Sequence, residues 1–205
     1  MELEALNITP QTRGTSHFGS ALLSTTIALC LLATLGNQVF AQEPQEADEY
    51  EAKTAFVYAF AKFVSWPGEG AHVTQDSFVI GTMAGTPFAR SLASLLGKRI
   101  HDRPVQIREL DDASHFEPCQ VMLFGLRELQ LMFATEPHLA HAVLTIGEDD
   151  GFAEAGGVLQ LTFVDEHLGF IVNRAAARRA GLELSASLYN LAQRIIDDDG
   201  RNPHP

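Results

Sequence analysis

A chain of 205 residues, 46% hydrophobic and 20% charged, is long enough to bury a core without metal or disulfide support, and its composition is neither fibrous nor disordered. Lys and Arg number 14 against 26 Asp and Glu, a formal net charge of -12, so a nucleic-acid backbone or an anionic bilayer would be repelled by the chain as a whole. Binding to nucleic acid is therefore not expected.

Residues 21–35 form an apolar run preceded by Arg13 and His17. Val39 and Ala41 behind it suit the -3 and -1 positions of a signal peptidase site. The run is about 15 residues where a spanning helix needs ~20, and Ser24, Thr25, Thr26 and Thr34 dilute it. The pattern predicts a signal peptide over 1–41, cleaved after Ala41, a periplasmic mature protein and no membrane insertion once the leader is gone. Leu29 before Cys30 lacks the small side chain that lipid attachment requires. Export leaves Cys119 as the single cysteine, expected as a buried, inert thiol with no intrachain disulfide.

Residues 42–48 read as a polar, flexible mature N-terminus. Order is expected from Asp48, where Asp48, Glu49 and Glu51 place negative charge on a helix N-terminus and Ala52, Phe56, Phe60, Phe63 and Val64 recur at helical spacing. Pro67 ends that helix by Trp66. A strand is predicted over 77–83. A second helix follows, capped by Thr86-Pro87, with Phe88, Leu92, Leu95 and Leu96 on one face and Gly97 as its stop. Residues 104–110 alternate as a half-buried strand near a sheet edge, whereas 119–124 is apolar throughout and reads as a central strand covered on both faces. A helix over 126–133 and a short buried strand over 142–146 come next. Residues 158–164 and 168–172 flank a polar turn and predict an antiparallel hairpin. Asn173 caps a short basic helix ended by Gly181, Leu182 and Leu184 form a brief extended segment, and Ser185 caps a final helix carrying Leu188, Leu191, Ala192, Ile195 and Ile196 on one face. Asp197 to Asp199 oppose that helix's dipole and lead into a flexible tail over 198–205. The fold class is a single α/β domain over 49–197, a mixed β-sheet flanked by helices with an antiparallel hairpin in the C-terminal half.

No GxSxG, HExxH, phosphate loop or CxxC pair occurs, so the chain is not expected to be an enzyme, and no cofactor is implied. His138 and His141 lie three apart but follow Pro137, and read as surface histidines rather than a metal pair. Glu148, Asp149 and Asp150 sit at a strand end, where α/β sheets bind ligands, yet consecutive carboxylates point different ways and a solvated loop is the simpler reading. Gly85, Glu148 and Gly151 together mark where a small ligand would bind at strand ends. Arg174, Arg178 and Arg179 form the basic cluster of an acidic chain, where an anionic ligand or an acidic partner face would dock. Tyr58 falls off the apolar face of its helix and Trp66 sits at the helix end. These two aromatics join the arginines as the candidate partner-binding set.

Four stretches taken together, residues 50–67 (YEAKTAFVYAFAKFVSWP), 78–97, 151–157 (GFAEAGG) and 170–192 (FIVNRAAARRAGLELSASLYNLA), resemble the YfiR family of periplasmic regulators. The resemblance implies a soluble α/β domain, often dimeric, that binds the periplasmic portion of a membrane-bound diguanylate cyclase of the inner membrane and represses it. Cyclic-di-GMP signalling and biofilm formation then stay low until an envelope signal lifts the restraint. Better-known members carry cysteine pairs that form disulfides; this chain keeps Cys119 alone after export, so redox control of that kind is not expected. The alternative from another class is a periplasmic solute-binding protein serving a different envelope signalling system. An envelope hydrolase using Glu148, Asp149 or Asp150 ranks third, for want of a nucleophile and base.

Overall fold

A computed structural model describes residues 43–67, 76–112, 116–135, 141–165 and 167–197. The expected leader (1–41), His138 with Pro137 before it, and the expected tail (198–205) lie outside the described residues. The contacts set out below belong to the unit formed by residues 44–205.

The first helix, α1, spans Glu43–Phe63. It starts upstream of Asp48, because Pro44 is compatible with a first turn whose N–H groups have no intrahelical partner. Its buried face is Lys53, Thr54, Val57, Phe60 and Ala61, continued by Val64, while Ala52 is exposed and Phe63 is 47% exposed. Phe63 turns outward because the helix stops there and Val64–Ser65 becomes strand β1, paired antiparallel with β9, Glu183–Leu184. His101 Nε2 closes the helix end, 2.9 Å from the Ala61 carbonyl and 3.0 Å from that of Val64. Both partners only accept, so this nitrogen carries the hydrogen.

The main sheet has eight strands: β2 (Phe78–Met83), β3 (Arg99–Ile100), β4 (Arg103–Leu110), β5 (Val121–Leu123), β6 (Leu144–Gly147), β7 (Leu159–Val164), β8 (His167–Asn173) and β10 (Arg194–Ile196), in the order β10-β8-β7-β6-β5-β2-β4-β3. Strands β4, β2, β5, β6 and β7 run parallel, β8 turns back on β7, and β3 pairs antiparallel with β4. The expected mixed α/β fold with its C-terminal hairpin is thus the fold observed, with β5 central and buried and β4 beside an edge.

Alternation along the strands feeds two cores. Phe78, Ile80, Val121, Leu123, Leu144 and Ile146 face α1, α2 (Pro87–Leu92) and Leu188, whereas Val79, Met122 and Val143 face α3 (Leu126–Thr135) through Leu129 and Met132. Helices therefore cover both faces of the sheet.

The three side-chain caps form as expected: Thr86, Asn173 and Ser185 accept from the backbone N–H groups of Ala89, Ala176 and Leu188. They open α2, α4 (Arg174–Arg179) and α5 (Ala186–Leu191). Two corrections concern where helices end. Leu96 is 58% exposed, because α2 gives way to a 3-10 turn over Ala93–Leu95. The last helix stops at Leu191, which is 70% exposed; Ala192 is extended, and Arg194–Ile196 forms edge strand β10, parallel to β8. There β-branched Ile195 and Ile196 gain ladder bonds that a further helical turn would not supply. Asp197 accordingly follows a strand rather than a helix end and pairs with Arg174.

Candidate functional site

The chain passes from β2 to β4 on one side and then crosses to β5 on the other, so β2 and β5 border the switch point of the sheet, where α/β folds bind ligands at the carboxyl ends of strands. A crevice of about 260 Å³ lies there, bordered by Thr86, Gly125, Glu128, Glu148 and Asp149 among others. Asp149 Oδ2 accepts the Leu126 N–H at 2.6 Å and so caps α3. Of the three expected ligand-binding residues, Glu148 lines this crevice. Gly85 and Gly151 occupy flanking turns at φ 73° and 81° and do not line it.

Glu148 also faces α1. Tyr50 Oη donates to its Oε1 at 2.8 Å, and Lys53 Nζ lies 2.5 Å from its Oε2 and 2.5 Å from Glu49 Oε1. Lys53 is 5% exposed, and its ammonium stands 4.4 Å from the centre of the Tyr50 ring. Burial alone would lower the Lys53 pKa; the hydrogen bonds to Glu148 and Glu49 outweigh it and hold the ammonium above its ordinary value. Burial, then the hydrogen bond to Glu148, raises the Tyr50 phenol. The group ties α1 to the end of β6, and it was missed in the sequence although one signal was present: Lys53 shares a helix stripe with Val57, Phe60 and Val64.

The candidate partner-binding residues fall in separate places. Tyr58 Oη donates to the Arg99 carbonyl at 3.2 Å, and its ring lies 5.2 Å from Lys62 Nζ and 5.1 Å from Lys98 Nζ. The structure thereby adds two lysines to the expected aromatic. Trp66 is a correction: at 8% exposure it packs edge-on against Phe78 and His101 and belongs to the core. The helix has already ended at Phe63 and the chain runs on as β1, and the indole folds inward rather than outward. Arg174 pairs with Asp197 at 3.1 Å and lies 4.7 Å from the Tyr189 ring, whereas Arg178 and Arg179 are exposed on the last turn of α4. Tyr58 thus reaches β3 and Arg174 reaches the end of β10, at opposite edges of the sheet. One continuous surface holding both does not form.

The 151–157 loop is built around Phe152, fully buried between Gly147 and Gly157, where a methyl group on either glycine would collide with the ring. Buried polar side chains pin the loop: Gln160 Oε1 accepts the Ala153 N–H at 3.1 Å, and Asn173 Nδ2 donates to the Ala153 carbonyl at 2.6 Å. Glu154 pairs with Arg194 of β10. Cys119 is buried, and burial pushes its thiol up to about 12. His141 is exposed, and among the described residues no group of three or more His, Cys, Asp or Glu side chains is placed to hold a metal ion.

A doubly covered α/β sheet with a strand-end crevice, and a buried lysine clamp meeting it at Glu148, is the class of domain these residues define. The YfiR/HmsC-like family model matches residues 50–193, and the chain belongs to that family, one of periplasmic regulators. The family is known as regulatory rather than catalytic. No curated protein matches the chain. Among solved structures it is similar to a conserved domain protein from Vibrio cholerae, with 12% identity, a TM-score of 0.46, and 71% of this chain and 60% of that one covered. Among the described residues no helix is long and apolar enough to cross a membrane.

Proposed function

We propose that this protein is a non-enzymatic periplasmic regulator that binds the periplasmic part of an inner-membrane diguanylate cyclase and represses it, lowering cyclic-di-GMP and biofilm formation. The observation that carries this reading is the family match, which runs from Tyr50 in the clamp to Gln193 beside β10. The local chemistry supports it. Glu148 and Asp149, the strand-end carboxylates a hydrolase would need, are engaged in holding Lys53, Tyr50 and the α3 N-terminus. Export through cleavage after Ala41 belongs to the same reading. Intact mass of periplasmic protein checks it, since a species retaining residues 1–41 in the membrane fraction would point to an anchored protein.

The direct test is co-purification from membranes followed by cyclic-di-GMP measurement in cells with and without the gene. Recovery of a cyclase, together with a rise in cyclic-di-GMP on deletion, is the expected result. Recovery of an unrelated receptor with unchanged cyclic-di-GMP would favour the second reading, a small-ligand-binding protein for another envelope system. The crevice at the β2–β5 switch point, with Glu148 on its wall, is the observation behind that reading.

A further inference from the structure

The crevice at the switch point holds a carboxylate that the fold does not use. Both Glu148 oxygens are taken on the α1 side by Tyr50 and Lys53, and Asp149 Oδ2 accepts the Leu126 N–H. Glu128, half-buried in the first turn of α3, lines the same crevice, and no described residue bonds or pairs with its carboxylate. A methyl group on Gly125 would stand 2.8 Å from Glu128 Oε2 and 2.9 Å from Asp149 Oδ2. The two like charges therefore lie within about 6 Å of each other, close enough to repel. A second observation comes from the sheet. Thr82, near the end of β2 in register with Leu123 of β5, is 1% exposed and also lines the crevice. Its hydroxyl bonds to no described group and is not sealed off from the crevice either, whereas buried hydroxyls normally have a partner.

We infer that this crevice binds a small primary ammonium, its N–H groups meeting Glu128, Asp149 and Thr82 and its short apolar body lying against Leu123 and Phe124. An ammonium carries three donors and no acceptor, which suits a site offering two carboxylates and a hydroxyl; a carboxylate oxygen that already caps a helix still accepts a further bond. A metal ion fits less well. Hard cations such as calcium take about six to eight oxygens, and among the described residues no group of three or more His, Cys, Asp or Glu side chains is placed to hold one. The volume of about 260 Å³ lies below the range of about 300–1,000 Å³ usual for drug-sized ligands, so the body is short. The inference rests on the small-ligand reading for its crevice and not on the cyclase contact.

Butylamine, butanol and butyrate, which share an apolar body and differ in the head group, are titrated into the purified protein at neutral pH while backbone amide NMR shifts are followed. Butylamine is expected to saturate with its largest shifts at Gly125, Glu128 and Asp149, roughly tenfold more tightly than butanol, and butyrate to give no saturable shift. Glu128→Gln should weaken butylamine roughly tenfold and Thr82→Val severalfold, with circular dichroism and thermal midpoint confirming that each variant is folded. Butanol or butyrate binding there as tightly as butylamine would keep the small-ligand reading and overturn the ammonium assignment. Unchanged butylamine affinity in folded Glu128→Gln would overturn the assignment as well, and no saturable shift with any of the three would overturn it together with the small-ligand reading of the crevice.

Discussion

Replacing Lys53 with Met removes the buried ammonium while keeping most of the stem's apolar volume, and so isolates the electrostatic part of the clamp. Breaking a fully buried ion pair costs about 3–5 kcal/mol because the abandoned charge stays dry. Here the side chains of Glu148 and Glu49 are 33% and 38% exposed and can rehydrate, and Tyr50 still donates to Glu148, so the expected loss is smaller, about 1–2 kcal/mol. For a chain of this size that is a fall in Tm of roughly 2–8 °C. Urea unfolding followed by the fluorescence of Trp66, the sole tryptophan and a core residue, measures it. Glu148→Gln alone should also destabilise, and the double variant should lose less than the sum by about 1 kcal/mol, since each single change removes the same contact. The pH profile gives a second readout. Lys53 and Tyr50 are both raised in the folded protein, so above pH 10 the unfolded chain releases these protons first, binds fewer than the folded chain, and stability falls as pH rises. Lys53→Met should make that alkaline fall shallower. Additive energies in the cycle together with an unchanged alkaline profile would refute the clamp as a stabilising element.

Phe152→Ala should cost about 3–5 kcal/mol, because a fully buried ring is removed from between Gly147 and Gly157, and equilibrium unfolding reads the loss. Cys119→Ser should fold and cost about 1–3 kcal/mol, while the native thiol, pushed up to about 12, should resist alkylation at neutral pH until the protein is unfolded. Paired reversal of Lys62→Glu and Lys98→Glu around Tyr58 should leave thermal stability nearly unchanged and slow association with the periplasmic part of a cyclase, an effect that added salt reduces in the parent and not in the variant.

Local chemistry made much of this fold readable in advance. Thr86, Asn173 and Ser185 cap the helices they were expected to cap, and the apolar run around Val121 to Leu123 lies at the centre of the sheet. What escaped depends on partners far away in sequence. Leu188, Leu191, Ala192, Ile195 and Ile196 fit a helical stripe, and only the pairing of Arg194, Ile195 and Ile196 with Ile171, Val172 and Asn173 decides for a strand. Strands of two or three residues, such as β1 and β9, are too short to show any period. Exposed Phe63 and buried Trp66 invert their expected places for one reason. The helix ends at the first, and the extended chain of β1 that follows carries the second onto Phe78 and His101. Of the candidate site, the strand-end position of Glu148 was legible, but its commitment to Tyr50 and Lys53, more than ninety residues earlier, was not.

The two anchors of α1 bear on how the Tyr58 patch would work in a regulator. Near its start the helix is held to β6 through Lys53 and Glu148, and at its end His101 bonds the carbonyls of Ala61 and Val64. Tyr58 lies between these points, and its hydroxyl is fixed a third time on the Arg99 carbonyl. A ring held in this way loses little freedom when a partner packs on it, so less of the contact energy is offset by ordering. Lys62 and Lys98 flank the same ring, in a chain otherwise rich in carboxylates, and set the sign of what it can meet. A short acidic stretch of a protein fits those two charges; an extended anionic surface would also bring the rest of this acidic domain within a Debye length and be repelled. Charge thus favours a protein segment over an anionic membrane surface as an occupant of the Tyr58 patch, and the rigidity of the ring would lower the ordering cost of such a contact.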